Sequence, residues 1–257
     1  MNVAPKKSLG QHFLVDENIL GVVGRLAELA VEDVVLEVGP GLGTLTRYLA
    51  ERVAHVHAVE LDRSLVAPLE AALTGLANVG LVFGDALAVD LAALDPAPRK
   101  LVSNLPYNVA TPLIVESLER VPSLARWCVM VQREVADRLF AEPRTKAYGA
   151  VSVLVQLHAR RVGFHPVSAH VFRPRPRVES ALIAFTRIPG PPFALVRPVV
   201  ESAFAHRRKT LANSLALAGL AARSRAEEAL AEIGRTARVR AEELEPPEFV
   251  ALAEALG

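Results

Sequence analysis

The stretch Val34-Val35-Leu36-Glu37-Val38-Gly39-Pro40-Gly41-Leu42-Gly43-Thr44 decides how the rest of the chain is read. A short apolar run, a turn dense in glycine and an apolar-periodic segment opening at Thr44 spell strand, loop and helix. Glycine belongs in such a loop because a side chain would keep the backbone away from a ligand, and because the turn demands φ values that other residues avoid. A dinucleotide fingerprint reads G-x-G-x-x-G, whereas here the spacing is G-x-G-x-G, with Glu37 two residues ahead of the first glycine. That spacing leans away from a nicotinamide dinucleotide.

Outward from this loop the same alternation continues. Upstream, Asp16 is placed to cap a helix over 18–30. Downstream, the pattern predicts a helix over 44–52, a strand over 53–59, a helix over 64–73 and a strand over 79–83. A strand over 101–103, a helix over 111–118 and a strand over 128–131 follow. Strands alternating with helices imply a parallel sheet covered on both faces, an α/β fold. Two extended runs, 161–167 and 181–188, read as an antiparallel hairpin closing that sheet. The breaker cluster Pro189-Gly190-Pro191-Pro192 then introduces a tail rich in Ala, Leu, Arg and Glu with helical periodicity. The expected domains are therefore 1–188, carrying the chemistry, and 189–257, helical.

Open α/β sheets bind ligands at the C-terminal ends of their strands. Three acids fall there: Glu37, Glu60 and Asp85. Glu60 suits the two ribose hydroxyls of an adenosine, and Asp85 suits an adenine amine; Leu61 and Ala86 stand beside them. The fourth strand runs into Ser103-Asn104-Leu105-Pro106-Tyr107-Asn108. An aromatic amine is a poor nucleophile because its lone pair is delocalised into the ring. Two acceptors, the Asn104 side-chain oxygen and the Leu105 carbonyl, can hold such an amine and favour pyramidal nitrogen, while Tyr107 stacks on the base. Proximity and in-line geometry then supply the acceleration. No metal and no covalent nucleophile is required.

The 257 residues carry a net charge of only +1, but its distribution is lopsided. Between Pro143 and Ala226 stand 14 Lys or Arg against two acids, Glu179 and Glu201, a surplus of +12; the remainder of the chain is at −11. A basic region more than eighty residues long suits phosphates. No uncharged apolar run reaches the roughly 18 residues of a membrane span, and polar residues interrupt the N-terminal segment before a leader could form, so a cytoplasmic protein is expected. The lone Cys128 sits in an apolar stretch and reads as a buried, inert thiol.

These motifs together resemble the KsgA-type ribosomal RNA adenine dimethyltransferases, which share a fold with the erythromycin-resistance Erm methyltransferases. The resemblance runs over nearly the whole chain. It is carried by Lys6-Lys7-Ser8-Leu9-Gly10-Gln11-His12-Phe13-Leu14, the Glu37–Thr44 loop, Val59-Glu60, Gly84-Asp85, Asn104–Tyr107 and Phe172-Arg173-Pro174-Arg175-Pro176-Arg177-Val178-Glu179-Ser180. It implies a class I S-adenosylmethionine-dependent methyltransferase with a Rossmann-like, seven-stranded sheet and a small helical C-terminal domain. His12, Leu14, Gly39, Gly41, Glu60, Leu61, Asp85, Ala86 and Asn104 would then line the S-adenosylmethionine pocket. Asn104, Leu105, Pro106 and Tyr107 would form the catalytic turn, with Tyr107 and Phe172 flanking the target base. His12 stands where the family most often has Asn, so the contact there could come from its side chain or from its backbone.

The implied substrate is the pair of adjacent adenosines in the 3′-terminal hairpin loop of 16S rRNA, modified at N6 within an immature small ribosomal subunit by a monomeric enzyme. Arg173, Arg175 and Arg177 beside the base pocket, and Arg207, Arg208 and Lys209 on a helix of the small domain, would contact the RNA. An Erm-type enzyme acting on 23S rRNA is the nearest alternative. A noncatalytic ribosome-assembly factor is a second, against which the intact Asn104–Tyr107 turn argues.

Overall fold

Val34–Val38 is apolar but for Glu37 and β-branched at its three valines, and in the computed structural model it forms a central strand of a seven-stranded sheet. The structure describes Lys6 and residues 11–257; positions 7–10 of the N-terminal motif lie outside the described residues. In chain order the first half runs β1 (Phe13–Leu14), α1 (Glu17–Ala27), β2 (Val34–Val38), α2 (Thr44–Ala50), β3 (His55–Glu60), α3 (Val66–Ala72), β4 (Val79–Phe83), β5 (Lys100–Asn104), α4 (Ala110–Arg120) and β6 (Arg126–Gln132). It continues through α5 (Arg133–Leu139), α6 (Ala150–His158), β7 (Ala159–Val167), β8 (Phe172–Arg173) and β9 (Ser180–Arg187). The last helices are α7 (Phe193–Ala205), α8 (Leu211–Leu217), α9 (Arg223–Glu232) and α10 (Pro246–Leu256).

The sheet order is β4-β3-β2-β5-β6-β9-β7. Strands β4 to β6 pair in parallel, and β9 pairs antiparallel to β6. From β2 the chain builds outward to β3 and β4, then returns to the other side of β2 for β5 and β6. The sheet therefore has its switch point between β2 and β5, where strand ends splay and ligands bind. The expected α/β class, parallel core and antiparallel closing strand are all present. Asp16 caps α1, its carboxylate accepting from Asn18 N at 2.8 Å. On one face of the sheet α1 and α2 bury Leu20, Val23, Ala27 and Leu49 against Val35, Val56, Val102 and Met130. Cys128 lies in the same core, and burial pushes its thiol up to about 12, as suits an inert group. Among the described residues no helix is long and apolar enough to cross a membrane.

Two features differ from the sequence reading. The described residues divide into one compact unit, made of those up to 136 together with 161–187, and a second of residues 137–160 and 188–257. The division near residue 188 recurs, but 137–160 belongs with the tail rather than with 1–188. The reason is α6, which is apolar on nearly all sides and buries Val153, Val155 and Leu157. His158 at its end stacks on Phe193 at 3.8 Å between ring centres and bonds the Pro191 carbonyl, while the Tyr148 hydroxyl donates to Leu244 O at 2.8 Å. The second difference concerns Arg207, Arg208 and Lys209, which were expected on a helix and occupy the turn between α7 and α8. Helix α7 stops at Ala205 because His206 leaves helical geometry, with φ −129° and ψ 65°.

Candidate active site

At the C-terminal ends of β2, β3, β4 and β5 the first unit opens into a cleft of about 1040 Å³. Its floor is the glycine loop. Gly39, Gly41 and Gly43 all have positive φ, at 74°, 59° and 81°. A Cβ on Gly41 would lie 2.9 Å from the Phe13 ring, and one on Gly39 would lie 3.2 Å from Pro106. The loop is thus pressed between β1 and the turn after β5, which a side chain at either position would push apart.

The acids sit where the strand ends place them. Glu60 Oε2 accepts from Gly41 N at 3.1 Å and Oε1 from Asp62 N at 2.8 Å, so two backbone amides fix the carboxylate at the cleft wall. Burial pushes its pKa up; the amides oppose this, and the Asp62 charge adds to it. Glu37 is 1% exposed, and its Oε2 has no hydrogen-bond partner among the described residues. Burial pushes its carboxyl up to about 8, with the Thr46 hydroxyl opposing the shift and the Glu60 charge adding to it. Asp85 turns one oxygen to Leu87 N at 2.9 Å, and Leu61, half exposed, forms an apolar rim beside it. An orphaned buried acid, a second acid fixed by amides and an apolar rim fit an adenosine-bearing cation: carboxylates for hydroxyls and charge, and an apolar face for the base.

Asn104 ends β5, and the next residue is held by Leu105 N donating to Met130 O at 3.0 Å. The Asn104 amide nitrogen donates to the His12 carbonyl at 3.0 Å, which leaves its Oδ1 as the acceptor in a side chain that lines the cleft. The His12 backbone is thus tied to Asn104. Its ring is also engaged. Nδ1 lies 2.7 Å from the Pro174 carbonyl, and because that oxygen only accepts, Nδ1 carries the proton. The ring centre stands 5.5 Å from that of Tyr107, whose hydroxyl meets Ser180 Oγ at 2.6 Å. Burial pushes the Tyr107 phenol up, the Ser180 bond opposes this and the Glu179 charge adds to it.

Of the expected residues, His12, Leu14, Gly39, Gly41, Glu60, Leu61, Asp85, Ala86, Asn104, Leu105, Pro106 and Tyr107 all line this one cleft. Phe172 does not. It is 2% exposed and packs with Leu14, Ile19 and Leu20 in the core, because in the two-residue ribbon with β1 it faces inward while Arg173 faces solvent. Arg173, Arg175 and Arg177 are exposed. Arg207 is exposed but tethered, donating to Tyr148 O at 2.9 Å with Glu242 at 4.0 Å; Arg208 and Lys209 are exposed beside it.

Sequence reasoning missed Asp62, which gathers Lys6 Nζ at 2.6 Å, Gln11 Nε2 at 2.9 Å and Ser64 Oγ at 2.7 Å. Burial opposes ionisation there, but these donors outweigh it and hold the carboxyl well below the usual range. Its one local signal was an acid two residues beyond Glu60. Ser180 gave no signal beyond its place in the 172–180 motif.

Residues 2–254 match the model of the family described as Ribosomal RNA adenine dimethylase. The chain is 49% identical to Ribosomal RNA small subunit methyltransferase A of Rubrobacter xylanophilus over 250 residues, covering 96% of this chain and 94% of that one. It is 46% identical to the protein of the same name from Kineococcus radiotolerans, covering 98% and 86%. Among solved structures it superposes on a dimethyladenosine transferase from Plasmodium falciparum with a TM-score of 0.77 over 94% and 96% of the two chains; at 21% identity that shows a shared fold. The 23S rRNA methyltransferase ErmE follows it at a TM-score of 0.66 and 30% identity, over 95% and 99%.

Proposed function

This chain belongs to the ribosomal RNA adenine dimethylase family, and on that premise we propose that it dimethylates N6 of two adjacent adenosines in the 3′-terminal hairpin loop of 16S rRNA. One observation carries the reading: the Gly39–Gly43 loop after β2 and the Asn104–Tyr107 turn after β5 meet in a single cleft at the sheet's switch point. The name shared by relatives from Rubrobacter and Kineococcus favours the small-subunit target over the 23S target of ErmE.

Family membership implies S-adenosylmethionine, whose sulfonium supplies an activated methyl group when it is bound. Glu60 would hold the ribose hydroxyls, Asp85 and Leu61 would hold the adenine, and the buried Glu37 would lend its carboxyl to the same cleft. Asn104 Oδ1 and the Leu105 carbonyl would accept hydrogen bonds from the two N–H groups of the target amine, which would free its lone pair for attack, and the proton shed on methylation would leave to water. Tyr107 stacks on the ring. A second methylation demands that the same nitrogen, now bulkier, be presented again, so holding the base by its face leaves the amine room. The sulfonium is its own driving force, and no metal enters the scheme. Arg173, Arg175 and Arg177 bind phosphates near the cleft, Arg208 and Lys209 bind them from the helical unit, and Arg207 braces that turn. The monomeric enzyme meets its RNA in an immature small subunit in the cytoplasm.

Tritiated methyl transfer to purified 16S rRNA, 23S rRNA and small-subunit particles tests this. Label confined to the small-subunit substrates is expected; label in 23S rRNA would establish the Erm-type reading instead.

A further inference from the structure

The 172–180 segment, Phe-Arg-Pro-Arg-Pro-Arg-Val-Glu-Ser, has its one aromatic ring buried in the core. What it gives the cleft-lining residues is a pair of hydrogen-bonding groups, the Pro174 carbonyl on His12 and the Ser180 hydroxyl on Tyr107. The two anchors differ in rigidity. Pro174 is exposed in a loop, whereas Ser180 is 1% exposed, opens β9 and pairs with Gln132 of β6. The neighbouring Glu179 carbonyl accepts from Arg133 N at 2.9 Å, so backbone bonds secure both sides of Ser180. Tyr107 is the opposite case: it sits in the turn between β5 and α4, partly exposed. Its hydroxyl bond at 2.6 Å to a sheet-borne serine pins the far end of the side chain and so fixes the direction in which the ring axis points.

We propose that Ser180 is a positioning residue for methyl transfer, holding the Tyr107 hydroxyl so that the ring on which the target adenine stacks is fixed in place. The inference rests on the functional reading given above. Ser180 touches neither base nor methyl donor; it acts through Tyr107. A stacked base whose platform swings aside carries its amine off the line of attack, and a misplacement of about 1 Å costs about 10²-fold in rate.

A double-mutant cycle with Ser180→Ala and Tyr107→Phe tests it, read as single-turnover methyl transfer to small-subunit particles. Each single variant is expected to slow transfer by tenfold or more, with particle affinity changed much less. The double variant should be no slower than either single one, because all three lack the same bond. Cofactor affinity by calorimetry should stay at the wild-type value throughout. Losses that multiply in the double variant, or Tyr107→Phe transferring at the wild-type rate, would overturn the proposal. The second result decides the matter even if Ser180→Ala fails to fold, since it leaves the sheet untouched. A hairpin RNA with 2-aminopurine at the target position gives a readout without turnover: its fluorescence should be quenched by wild type and recover in both single variants. Equal quenching in all three would also overturn the proposal, whereas a wild-type enzyme that quenches the probe yet labels no RNA would sink the methyl-transfer reading alone.

Discussion

At the residue scale two acids share the cleft and differ in what holds them. Glu60 is fixed by amides from Gly41 and Asp62, and its remaining lone pairs are the acceptors proposed for a ribose. Hydrogen bonds to a charged group contribute about 1.5 to 3 kcal/mol, so Glu60→Ala should weaken S-adenosylmethionine binding about tenfold or more in calorimetry. Unchanged affinity in a folded variant would remove Glu60 from the site. Glu37 is buried with one oxygen unpartnered among the described residues, and its carboxyl is pushed up to about 8. A carboxyl whose folded pKa lies above its unfolded value binds more protons folded than unfolded between the two. Stability of the ligand-free protein therefore falls as pH rises from about 4.5 towards about 8, by at most about 1.4 kcal/mol per unit. Glu37→Gln, which keeps the shape and cannot ionise, should flatten that slope in denaturant titrations at pH 5, 6, 7 and 8. An identical slope in the variant would show that Glu37 is ionised throughout.

At the element scale the glycine loop, β1 and the turn after β5 stand or fall together. Gly41→Ala asks an alanine to adopt φ 59° and drives a methyl to 2.9 Å from the Phe13 ring. Left-handed backbone costs roughly 1–2 kcal/mol for such a residue. The variant should lose cofactor affinity while its far-ultraviolet dichroism stays native; full affinity would show that β1 yields freely. The core strands, the loop and the three acids were legible because each is a local pattern: an apolar run, a glycine spacing, a carboxylate at a strand end. Nothing local announced the β1–β8 ribbon, two residues on each side and about 160 residues apart. That ribbon decides the fate of Phe172. The family resemblance implies an aromatic flanking the base at this position, but pairing with Leu14 turns it into the core. Helix α6 was hidden for the opposite reason: buried on most sides, it lacks the polar stripe that marks a surface helix.

At the scale of the whole molecule, segment 137–160 ties the end of the first half of the chain to the helical tail. A fragment ending at residue 188 would keep α6 while losing Phe193 and Leu244, the partners of His158 and Tyr148. Such a fragment should aggregate or show a broad, low thermal transition by scanning calorimetry; a sharp transition at the full chain's temperature would contradict the division into units. The charge surplus of +12 between Pro143 and Ala226 falls across both units, which suits an RNA long enough to be gripped outside the cleft. All of this serves one claim, that the cleft between the β2 and β5 ends delivers two methyl groups to each of two neighbouring adenosines. Mass spectrometry of the 3′-terminal 16S fragment, recovered from unmethylated small-subunit particles after reaction, measures that claim directly. The account predicts two adjacent N6,N6-dimethyladenosines with the wild-type protein, and at least a hundredfold slower appearance with Asn104→Ala under saturating RNA and cofactor. Dimethyladenosine formed at an undiminished rate by Asn104→Ala, or methyl groups found at any other position, would contradict it.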